Sequence, residues 1–207
     1  MSVIPYNTDT ISNAIDTEWA GKTVHFAKEI DSTNEWCKRL SKEDAVHGTL
    51  AVAEFQSAGK GRLGRRWVVP EGNSIMMSIL LRPDFEPRFA SMLTLVMGLS
   101  VAQAVKELGV DVSIKWPNDV VVSRKKMGIE EGKIREVVIG VGINVNLAEI
   151  QEELKDKATS LYLETGKTYD RNLLIGLVMG KFEKNYEKFV QTCDLSLMID
   201  DYNMMLA

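Results

Sequence analysis

Four cationic side chains stand close together in one glycine-rich segment of this chain, residues 56–67. These cations are Lys60, Arg62, Arg65 and Arg66. The backbone amides of such a loop and the forks of arginine guanidinium groups can together enclose a carboxylate or a phosphate. A solvated surface loop is the alternative, and the segment alone does not distinguish the two.

The rest of the chain supplies no general attraction for anions. It has 25 Lys and Arg residues against 29 Asp and Glu residues, a net charge of −4. The overall surface therefore lacks a positive field that would attract nucleic acid. Any anion site must be local, which makes the cationic segment the candidate.

The glycines of this segment do not form either of the common nucleotide-binding loops. Gly59, Gly61 and Gly64 match G-x-G-x-x-G after a predicted strand, but a Rossmann turn must open a helix. Here two β-branched residues and a proline follow Trp67, and proline stops a helix. A phosphate loop is excluded as well, because an Arg-Arg pair stands where that motif has Lys and Ser/Thr.

Two further segments combine polar side chains with a backbone shaped by proline or glycine. Residues 115–119 read Lys-Trp-Pro-Asn-Asp, so Asn118 and Asp119 offer oxygen atoms at a turn, which suits Mg²⁺. A simple capping turn is the commoner role for such a pair. Residues 140–146 read Gly-Val-Gly-Ile-Asn-Val-Asn, where small residues in a strand allow a flat ligand to lie on the sheet or mark a bulge.

The elements that must position these segments mix strands and helices without regular alternation. Hydrophobic patterns predict strands over residues 23–30, 48–55, 74–82, 110–115, 120–122 and 136–145. They predict helices from cap candidates at 31–34 to about 41, over 88–108 and over 172–192. Such an order favours an α+β domain with a mixed sheet.

Composition excludes several classes of protein. The fraction of hydrophobic residues is 45% and that of charged residues 26%, as in ordinary globular domains. Cys37 and Cys193 cannot build a disulfide framework, and with His25 and His47 they show no zinc spacing. No signal peptide is recognisable, and apolar stretches such as residues 74–81 are shorter than the roughly 20 residues of a membrane span. We expect a cytoplasmic protein with no membrane role.

Taken together and in order, these segments resemble those of the biotin–protein ligases, which attach biotin to the carrier domains of carboxylases. The matching segments are residues 31–34 (Asp-Ser-Thr-Asn), 59–67, 115–119, 140–146 and 158–161 (Ala-Thr-Ser-Leu). The resemblance extends over about residues 24–202. It implies an α+β fold with a mixed, largely antiparallel sheet covered by helices, similar to the catalytic domain of class II aminoacyl-tRNA synthetases.

The resemblance implies a two-step reaction that uses biotin, ATP and Mg²⁺. Biotin and Mg·ATP give biotinyl-5′-AMP and pyrophosphate, and a lysine amine of a biotin carboxyl carrier protein or domain then attacks the mixed anhydride. Cations placed around the biotin carboxylate and the α-phosphate would offset the repulsion between these two anions.

The resemblance also assigns roles to individual residues. For biotin it implies Ser32, Thr33, Asn34, Gln56, Gly59, Lys60, Gly61, Arg62, Lys126 and Gly142. For ATP and the adenylate it implies Arg62, Arg65, Trp67, Asn118, Lys126 and Asn144. The implied catalytic residues are Lys126, Arg62 and Lys60, and Asp119 would help to hold the metal.

One motif departs from the family pattern, in which a functional lysine leads into Lys-x-x-Gly-Ile-Leu-x-Glu. Residues 123–134 of this chain read Ser-Arg-Lys-Lys-Met-Gly-Ile-Glu-Glu-Gly-Lys-Ile. Without a gap, Lys125 is the functional lysine and the strand behind it is nearly absent, which would leave neighbouring backbone groups unpaired. We favour Lys126, with a short segment missing from this sequence after it. An intact mass of 23.2 kDa would exclude that interpretation.

The length predicts one domain with a small appendage. We take residues 1–207 as one catalytic domain with an N-terminal extension of about 22 residues. That extension is too short for the helix-turn-helix domain of repressor members, so we predict a monofunctional ligase that does not bind DNA. The small C-terminal β-barrel common in the family is absent, truncated or outside this sequence. A homodimer through an exposed sheet edge is compatible with this fold.

Two alternatives remain open. A lipoate–protein ligase shares the fold and the adenylation step, but its loop has paired arginines before a glycine run and a later His-Asp. In this chain neither His25 nor His47 precedes an Asp. A non-catalytic sensor of biotin or a nucleotide fits only if the lysine segment is truly deleted.

Overall fold

The computed structural model describes residues 4–59, 69–114, 129–130, 133–134, 136–150, 152 and 158–206. The strands in these residues are β1 (Val24–Ile30), β2 (Leu50–Gln56), β3 (Ser74–Leu81), β4 (Ile129–Glu130), β5 (Lys133–Ile134) and β6 (Val137–Asn144). The α-helices are α1 (Thr8–Ala14), α2 (Thr33–Lys42), α3 (Leu93–Glu107), α4 (Leu161–Thr165), α5 (Arg171–Thr192) and α6 (Ile199–Met205). The 3₁₀ turns Pro87–Met92 and Ser196–Met198 lead into α3 and α6.

Within the described residues, four strands form the main sheet, in the order β1, β2, β3, β6. β1 runs parallel to β2, and β3 is antiparallel to both of its neighbours. A parallel pair needs a crossover connection, which α2 supplies between β1 and β2. β4 and β5 pair with each other in a separate antiparallel sheet. The predicted α+β fold, with a mixed and largely antiparallel sheet covered by helices, is confirmed.

One face of the main sheet carries most of the hydrophobic core. Because side chains alternate along a strand, every second residue points to this face. The residues in this layer are Leu50, Val52, Ile75, Met77, Ile79, Leu81, Ile139 and Val141. Helices α3 and α5 cover them, and Phe182 and Phe189 of α5 are fully buried. Each such large side chain contributes about 1.5–3 kcal/mol to stability on burial.

The opposite face of the sheet is covered in two separate places. The first cluster lies under α2 and consists of Cys37, Leu40, Ala51 and Leu80. The second cluster consists of Val69, Met76 and Leu147. Between Leu80 and Met76, β3 presents Ser78 to this face, opposite Gly140 of β6. A strip of small and polar residues is thus left between two apolar covers.

A buried carboxylate fastens the N-terminal segment to α5. Glu183 accepts hydrogen bonds from the backbone N–H groups of Glu18, Trp19 and Ala20 at 2.9, 2.7 and 2.9 Å. Burial by itself raises the pKa of this carboxyl, but the three donors outweigh it, and the pKa is lowered. The charged carboxylate of Glu183 therefore holds the backbone of residues 18–20.

One predicted strand is wrong in the part that the structure describes. Residues 110–114 contain a single parallel bridge, between Ile114 and Leu206, instead of a strand. The Ile114 N–H donates to the Met205 carbonyl at 2.5 Å, so this stretch pairs with the end of the chain and not with the sheet. Lys115 and the predicted strand 120–122 lie outside the described residues.

The predicted helix over 88–108 is α3 preceded by a 3₁₀ turn that starts at Pro87. Together, Pro87–Glu107 is long and apolar enough to cross a membrane by length and composition. It is longer than the apolar stretches from which we predicted no membrane role. Leu93, Val96 and Leu99 are fully buried in the main core, which is the packing of a core helix.

Candidate active site

The start of α2 is held against the ends of β1 and β2. After β1 the chain turns at Asp31, and the N–H groups of Ser57 and Ala58 donate to the carbonyls of Ile30 and Asp31 at 2.9 and 2.8 Å. Ser32 is the N-cap residue in extended conformation, although its side chain makes no capping hydrogen bond. The segment that follows β2 therefore leaves the sheet directly beside the first turn of α2.

A closed hydrogen-bond network joins that first turn to the sheet. Gln56 Oε1 accepts from the Thr33 N–H at 2.7 Å and from the Thr33 hydroxyl at 3.1 Å. Ser78 Oγ lies 2.8 Å from Thr33 Oγ1 and 2.7 Å from Asn34 Oδ1, to either of which it can donate. All four residues are buried. An N–H of the first helical turn, which has no partner inside the helix, is thereby satisfied.

Gly140 makes room for the Asn34 amide. A Cβ atom at Gly140 would lie 2.6 Å from Asn34 Oδ1 and 2.8 Å from Asn34 Nδ2, closer than such atoms can approach. Gly142, two residues along β6, stands opposite Met76, which in turn pairs with Ala53 of β2. The two glycines of β6 on this face, Gly140 and Gly142, leave shallow sheet surface on which a flat ligand can lie.

The far end of the strip, at the start of β3 and the end of β6, is less completely bonded. Ser74 and Asn144 pair across the two strands. Asn144 Nδ2 donates to the Thr159 carbonyl at 3.0 Å, but Asn144 Oδ1 and Ser74 Oγ are buried with no partner in the described part of the chain. An unpartnered buried polar atom costs about 1–3 kcal/mol. This end therefore offers hydrogen-bonding capacity to a ligand.

The described residues on either side of residues 60–68 lie toward the two ends of the strip. On one side is Gly59, which is buried and directly follows Ala58, the donor to the Asp31 carbonyl. On the other side is Val69, which packs with Met76 and Leu147. Residues 60–68 lie outside the described residues.

The predicted site residues fall partly inside and partly outside the described ranges. Those outside the described ranges are Lys60, Gly61, Arg62, Arg65, Trp67, Asn118, Asp119, Lys125 and Lys126. The structure places Ser32, Thr33, Asn34, Gln56, Gly59, Gly142 and Asn144. Of these, Thr33, Asn34 and Gln56 meet in one network, and Asn144 lies at the other end of the strip. Within the described ranges, no group of three or more His, Cys, Asp or Glu residues could hold a metal.

Among the residues that the structure describes, the titratable groups near the strip do not include a nucleophile. Burial raises the pKa of the Cys37 thiol to about 12, so the thiol stays protonated, and it donates to the Ser78 carbonyl at 3.3 Å. Cys37 therefore packs as a small buried hydrophobic residue. Asp31 is half-buried, and its hydrogen bonds with the Arg39 guanidinium lower its pKa to about 2.

Sequence reasoning missed Ser78, the Gly140–Asn34 contact, and a buried ion pair between Glu54 and Arg171. A serine between apolar residues in β3 is an unremarkable pattern until cross-strand register brings it against α2. A carboxylate inside the otherwise apolar run of β2 was the available signal for Glu54, since an unpaired charge is rarely buried.

Comparisons with known proteins agree with one another. The sequence profile described as the Biotin/lipoate A/B protein ligase family matches residues 26–144. The bifunctional ligase/repressor BirA of Bacillus subtilis is 38% identical over 186 residues, 85% of this chain and 57% of that protein. The biotin–[acetyl-CoA-carboxylase] ligase of Mycobacterium tuberculosis is 30% identical over 159 residues, 73% and 59% of the two chains. This chain thus spans less than two thirds of these relatives.

A solved structure has the same fold. The biotin protein ligase of Aquifex aeolicus in complex with biotin and ATP aligns with a TM-score of 0.73 at 39% identity. The alignment covers 89% of this chain and 78% of that one.

Proposed function

The chain belongs to the biotin/lipoate A/B protein ligase family, and from that premise we propose that it activates biotin with ATP and transfers it to a lysine of a carboxylase carrier domain. The observation that carries the proposal is the strip on the sheet. It has a closed polar network at one end and buried polar atoms without partners at the other. Gly59 and Val69, the described residues that flank the cations of residues 60–66 in the sequence, are both buried.

The end at α2 suits the biotin rings. A ureido group presents two N–H donors and one carbonyl acceptor, and Ser32, Thr33, Asn34 and Gln56 supply complementary hydroxyl and amide groups. Because Thr33 and Gln56 already hold each other, these groups need no reorganisation when a ligand arrives. The shallow surface at Gly142 would receive the ring system.

The end at Asn144 suits adenine. Asn144 Oδ1 can accept from the exocyclic amine of the base, which would supply the missing donor. Val69, Met76 and Leu147 offer an apolar surface for the ring. In this proposal Trp67, which follows the cationic residues, stacks near the base.

The reaction brings two anions together. A biotin carboxylate oxygen attacks the α-phosphorus of ATP, and the bond to the departing pyrophosphate breaks. A carrier lysine amine then attacks the carbonyl of the mixed anhydride, AMP leaves, and the amine loses a proton. Lys60, Arg62 and Lys126 would offset the charge that develops on the phosphate oxygens, with Arg65 contacting the nucleotide.

Mg²⁺ is part of the proposal. The amide and carboxylate oxygens of Asn118 and Asp119 are the donor types that this hard cation prefers. Bound with ATP, Mg²⁺ would neutralise phosphate charge during pyrophosphate departure. We also propose a cytoplasmic location, a biotin carboxyl carrier protein or domain as partner, and a homodimer through an outer strand of the sheet.

The test is biotin-dependent exchange of pyrophosphate with ATP in the presence of Mg²⁺, run beside lipoate and without either acid. Exchange with biotin alone would support the proposal. Exchange with lipoate would favour the lipoate alternative, and nucleotide binding without exchange in folded protein would favour the sensor. Transfer to a carrier domain follows as a second assay.

The identity of the functional lysine has its own test. We expect Lys126→Ala to depress exchange more strongly than Lys125→Ala, because only one lysine can point at both anions. The reverse order would favour the alignment without a gap. An intact mass decides separately whether residues are missing after Lys126.

A further inference from the structure

Lysine side chains gather in an open groove on the solvent side of α3 and α5, which we call the lysine groove. It has a volume of about 490 Å³. Four ammonium groups line it, those of Lys106, Lys181, Lys184 and Lys188. Because α3 and α5 cover the core face of the sheet, the groove is separated from the candidate active site on the opposite face. It forms a local positive region on a chain whose net charge is −4.

The carboxylates around the groove neutralise only two of its four positive charges. Lys181 Nζ lies 2.6 Å from Glu107 Oε2, and Lys188 Nζ lies 3.7 Å from Asp201 Oδ2. The other two lysines have no ion pair among the residues that the structure describes. Like charges held near one another repel, and a bound anion would relieve that repulsion. Two positive charges are therefore available to a ligand.

A buried amide network at the floor of the groove orients a neutral donor. Asn185 is only 3% exposed, and its Nδ2 donates to Ser100 Oγ and to Gln103 Oε1, both at 2.9 Å. Ser100 Oγ donates in turn to the Val96 carbonyl at 2.7 Å. Because the Gln103 oxygen bonds to Asn185, the amide nitrogen of Gln103 is left for the groove, where it offers N–H donors. Such donors are what an anion requires.

The spacing of the lysines on α5 indicates the length of the ligand. Lys181, Lys184 and Lys188 follow the i, i+3, i+7 pattern of one helical face, and at about 1.5 Å per residue they extend over about 10 Å. One isolated phosphate cannot contact all of them, whereas a chain of linked phosphates carries its charges over such a length. Lysine binds phosphate as a point charge, and the described lining of the groove contains no arginine to match a planar carboxylate.

We propose that the lysine groove binds a linear polyphosphate. The ammonium groups of Lys106 and Lys184 and the amide nitrogen of Gln103 are its main contacts. Inorganic polyphosphate and the triphosphate of a nucleotide share this chemistry. The inference concerns a second site and does not rest on the proposed function.

Two variants remove the proposed contacts without changing the core. Lys106→Gln with Lys184→Gln removes two exposed ammonium groups that have no ion pair within the described ranges. Gln103→Leu removes the neutral donor and keeps the charge of the groove. The matched control is Lys28→Gln with Lys42→Gln, which changes the net charge by the same amount through exposed lysines of β1 and α2.

The first readout is the dissociation constant of tripolyphosphate, measured by calorimetry at about 0.15 M salt. We expect it to rise about tenfold or more in the Lys106/Lys184 double variant, because two charge-assisted hydrogen bonds are lost. Gln103→Leu should raise it about three- to fivefold, the effect of one neutral hydrogen bond. The control should stay within about twofold. Orthophosphate should bind the wild type about tenfold more weakly than tripolyphosphate, because it reaches fewer lysines.

The second readout locates the bound anion. Met205 lines the lysine groove, whereas Met76 packs on the candidate-site face of the sheet. In protein with ¹³C-labelled methionine methyl groups, tripolyphosphate should shift the Met205 resonance in the wild type and in the control, but not in the Lys106/Lys184 double variant. The Met76 resonance reports any binding on the other face.

Titration with ATP distinguishes the two sources of the phosphate chain. A Met205 resonance that responds at a lower concentration of ATP than of tripolyphosphate would support the proposal with a nucleotide as the ligand. The reverse order would support it with inorganic polyphosphate as the ligand.

Three results would overturn the proposal. The first is a Met205 resonance that responds to neither tripolyphosphate nor ATP. The second is an equal loss of tripolyphosphate affinity in the control and in the Lys106/Lys184 double variant, which indicates only diffuse attraction. The third is tighter binding of a hexaglutamate peptide than of tripolyphosphate, which would assign the groove to an acidic peptide. Biotin-dependent pyrophosphate exchange enters none of these results, so the proposed function is decided separately.

Discussion

At the α2 end of the candidate site the buried polar groups bond one another, whereas at the β3–β6 end two of them have no partner among the described residues. Thr33, Asn34, Gln56 and Ser78 form the closed network. Ser74 Oγ and Asn144 Oδ1 are the two unpartnered atoms. Both ends lie on the same sheet face, with Ser78 and Ser74 four residues apart on one strand.

The difference shows two ways of preparing a binding site. Groups that already bond each other keep their geometry before the ligand arrives, so less entropy is lost on binding. Groups without partners destabilise the free protein and gain more when a ligand supplies the missing bond. A site with both features can bind one ligand at an end whose shape is already fixed. It can bind a second ligand at an end whose polar atoms still lack hydrogen-bond partners.

The strongest way to break the closed end is Gly140→Ala. The added Cβ displaces the Asn34 amide, and through Ser78 it disturbs Thr33. We expect a loss of about 1–3 kcal/mol in the free energy of unfolding from overpacking. Biotin affinity should fall about tenfold or more, measured by calorimetry.

The control for this prediction is Gly180→Ala, at a helical glycine where a Cβ meets nothing within 4 Å. It should leave biotin binding unchanged and stabilise α5 by about 0.5–1 kcal/mol. Unaltered biotin binding in Gly140→Ala would remove the Asn34 amide from the site.

Two serine variants on β3 compare the ends directly. Ser78→Ala removes the hydroxyl that bonds Thr33 and Asn34, so we expect the free energy of unfolding to fall by about 1–2 kcal/mol. Ser74→Ala removes a buried hydroxyl without a partner and should be neutral or stabilising by up to about 1 kcal/mol. Chemical denaturation measures both. Equal destabilisation by the two variants would contradict the distinction between closed and open ends.

Asn144→Ala sharpens the comparison on the ligand side. Losing the bond from Nδ2 to the Thr159 carbonyl is offset by removing the unpartnered Oδ1, so stability should change by less than about 1 kcal/mol. The KM for ATP in pyrophosphate exchange should rise about five- to tenfold, the effect of one lost neutral hydrogen bond. Biotin affinity should stay within about twofold, and an equal loss for biotin would place Asn144 elsewhere.

The smallest effect concerns the exposed rim of the α2 end. Bonds from Arg39 lower the pKa of Asp31 from 3.8 to about 2. Because the folded-state pKa is depressed, this stabilisation is complete above about pH 4 and is lost as the pH falls toward 2. Half-exposed pairs contribute only about 0.2–1 kcal/mol. In Arg39→Gln the free energy of unfolding should therefore change less between pH 4 and pH 2 than in the wild type. Chemical denaturation at several pH values measures this difference.

Local sequence patterns predicted most elements of the fold. The strand before Asp31, the helix after it and the long helix from Arg171 follow from alternation, capping residues and helical spacing. Residues 110–114 were predicted wrongly, because an apolar stretch cannot show whether its neighbour is a sheet strand or the chain end. That choice depends on a contact between Ile114 and Leu206, far apart in sequence.

For the candidate site, sequence motifs predicted the residues on loops and at helix starts. They did not predict residues that enter the site only through the pairing register of the strands. Thr33, Asn34 and Gln56 were singled out and meet in one network. Ser78 was not, because its importance comes only from lying beneath α2. Glu54 was missed for the same reason, since its partner Arg171 is 117 residues away.

The sequence by itself determined the fold class, the family resemblance and the cationic segment, because these depend on residue types at short range. Only the tertiary structure decided which polar groups satisfy each other. Strand pairing sets Gly140 against Ser78 and Asn144 against Ser74, and helix packing then lays Asn34 on Gly140. A hydrogen bond needs two atoms within about 3 Å, and chain folding brings distant residues that close.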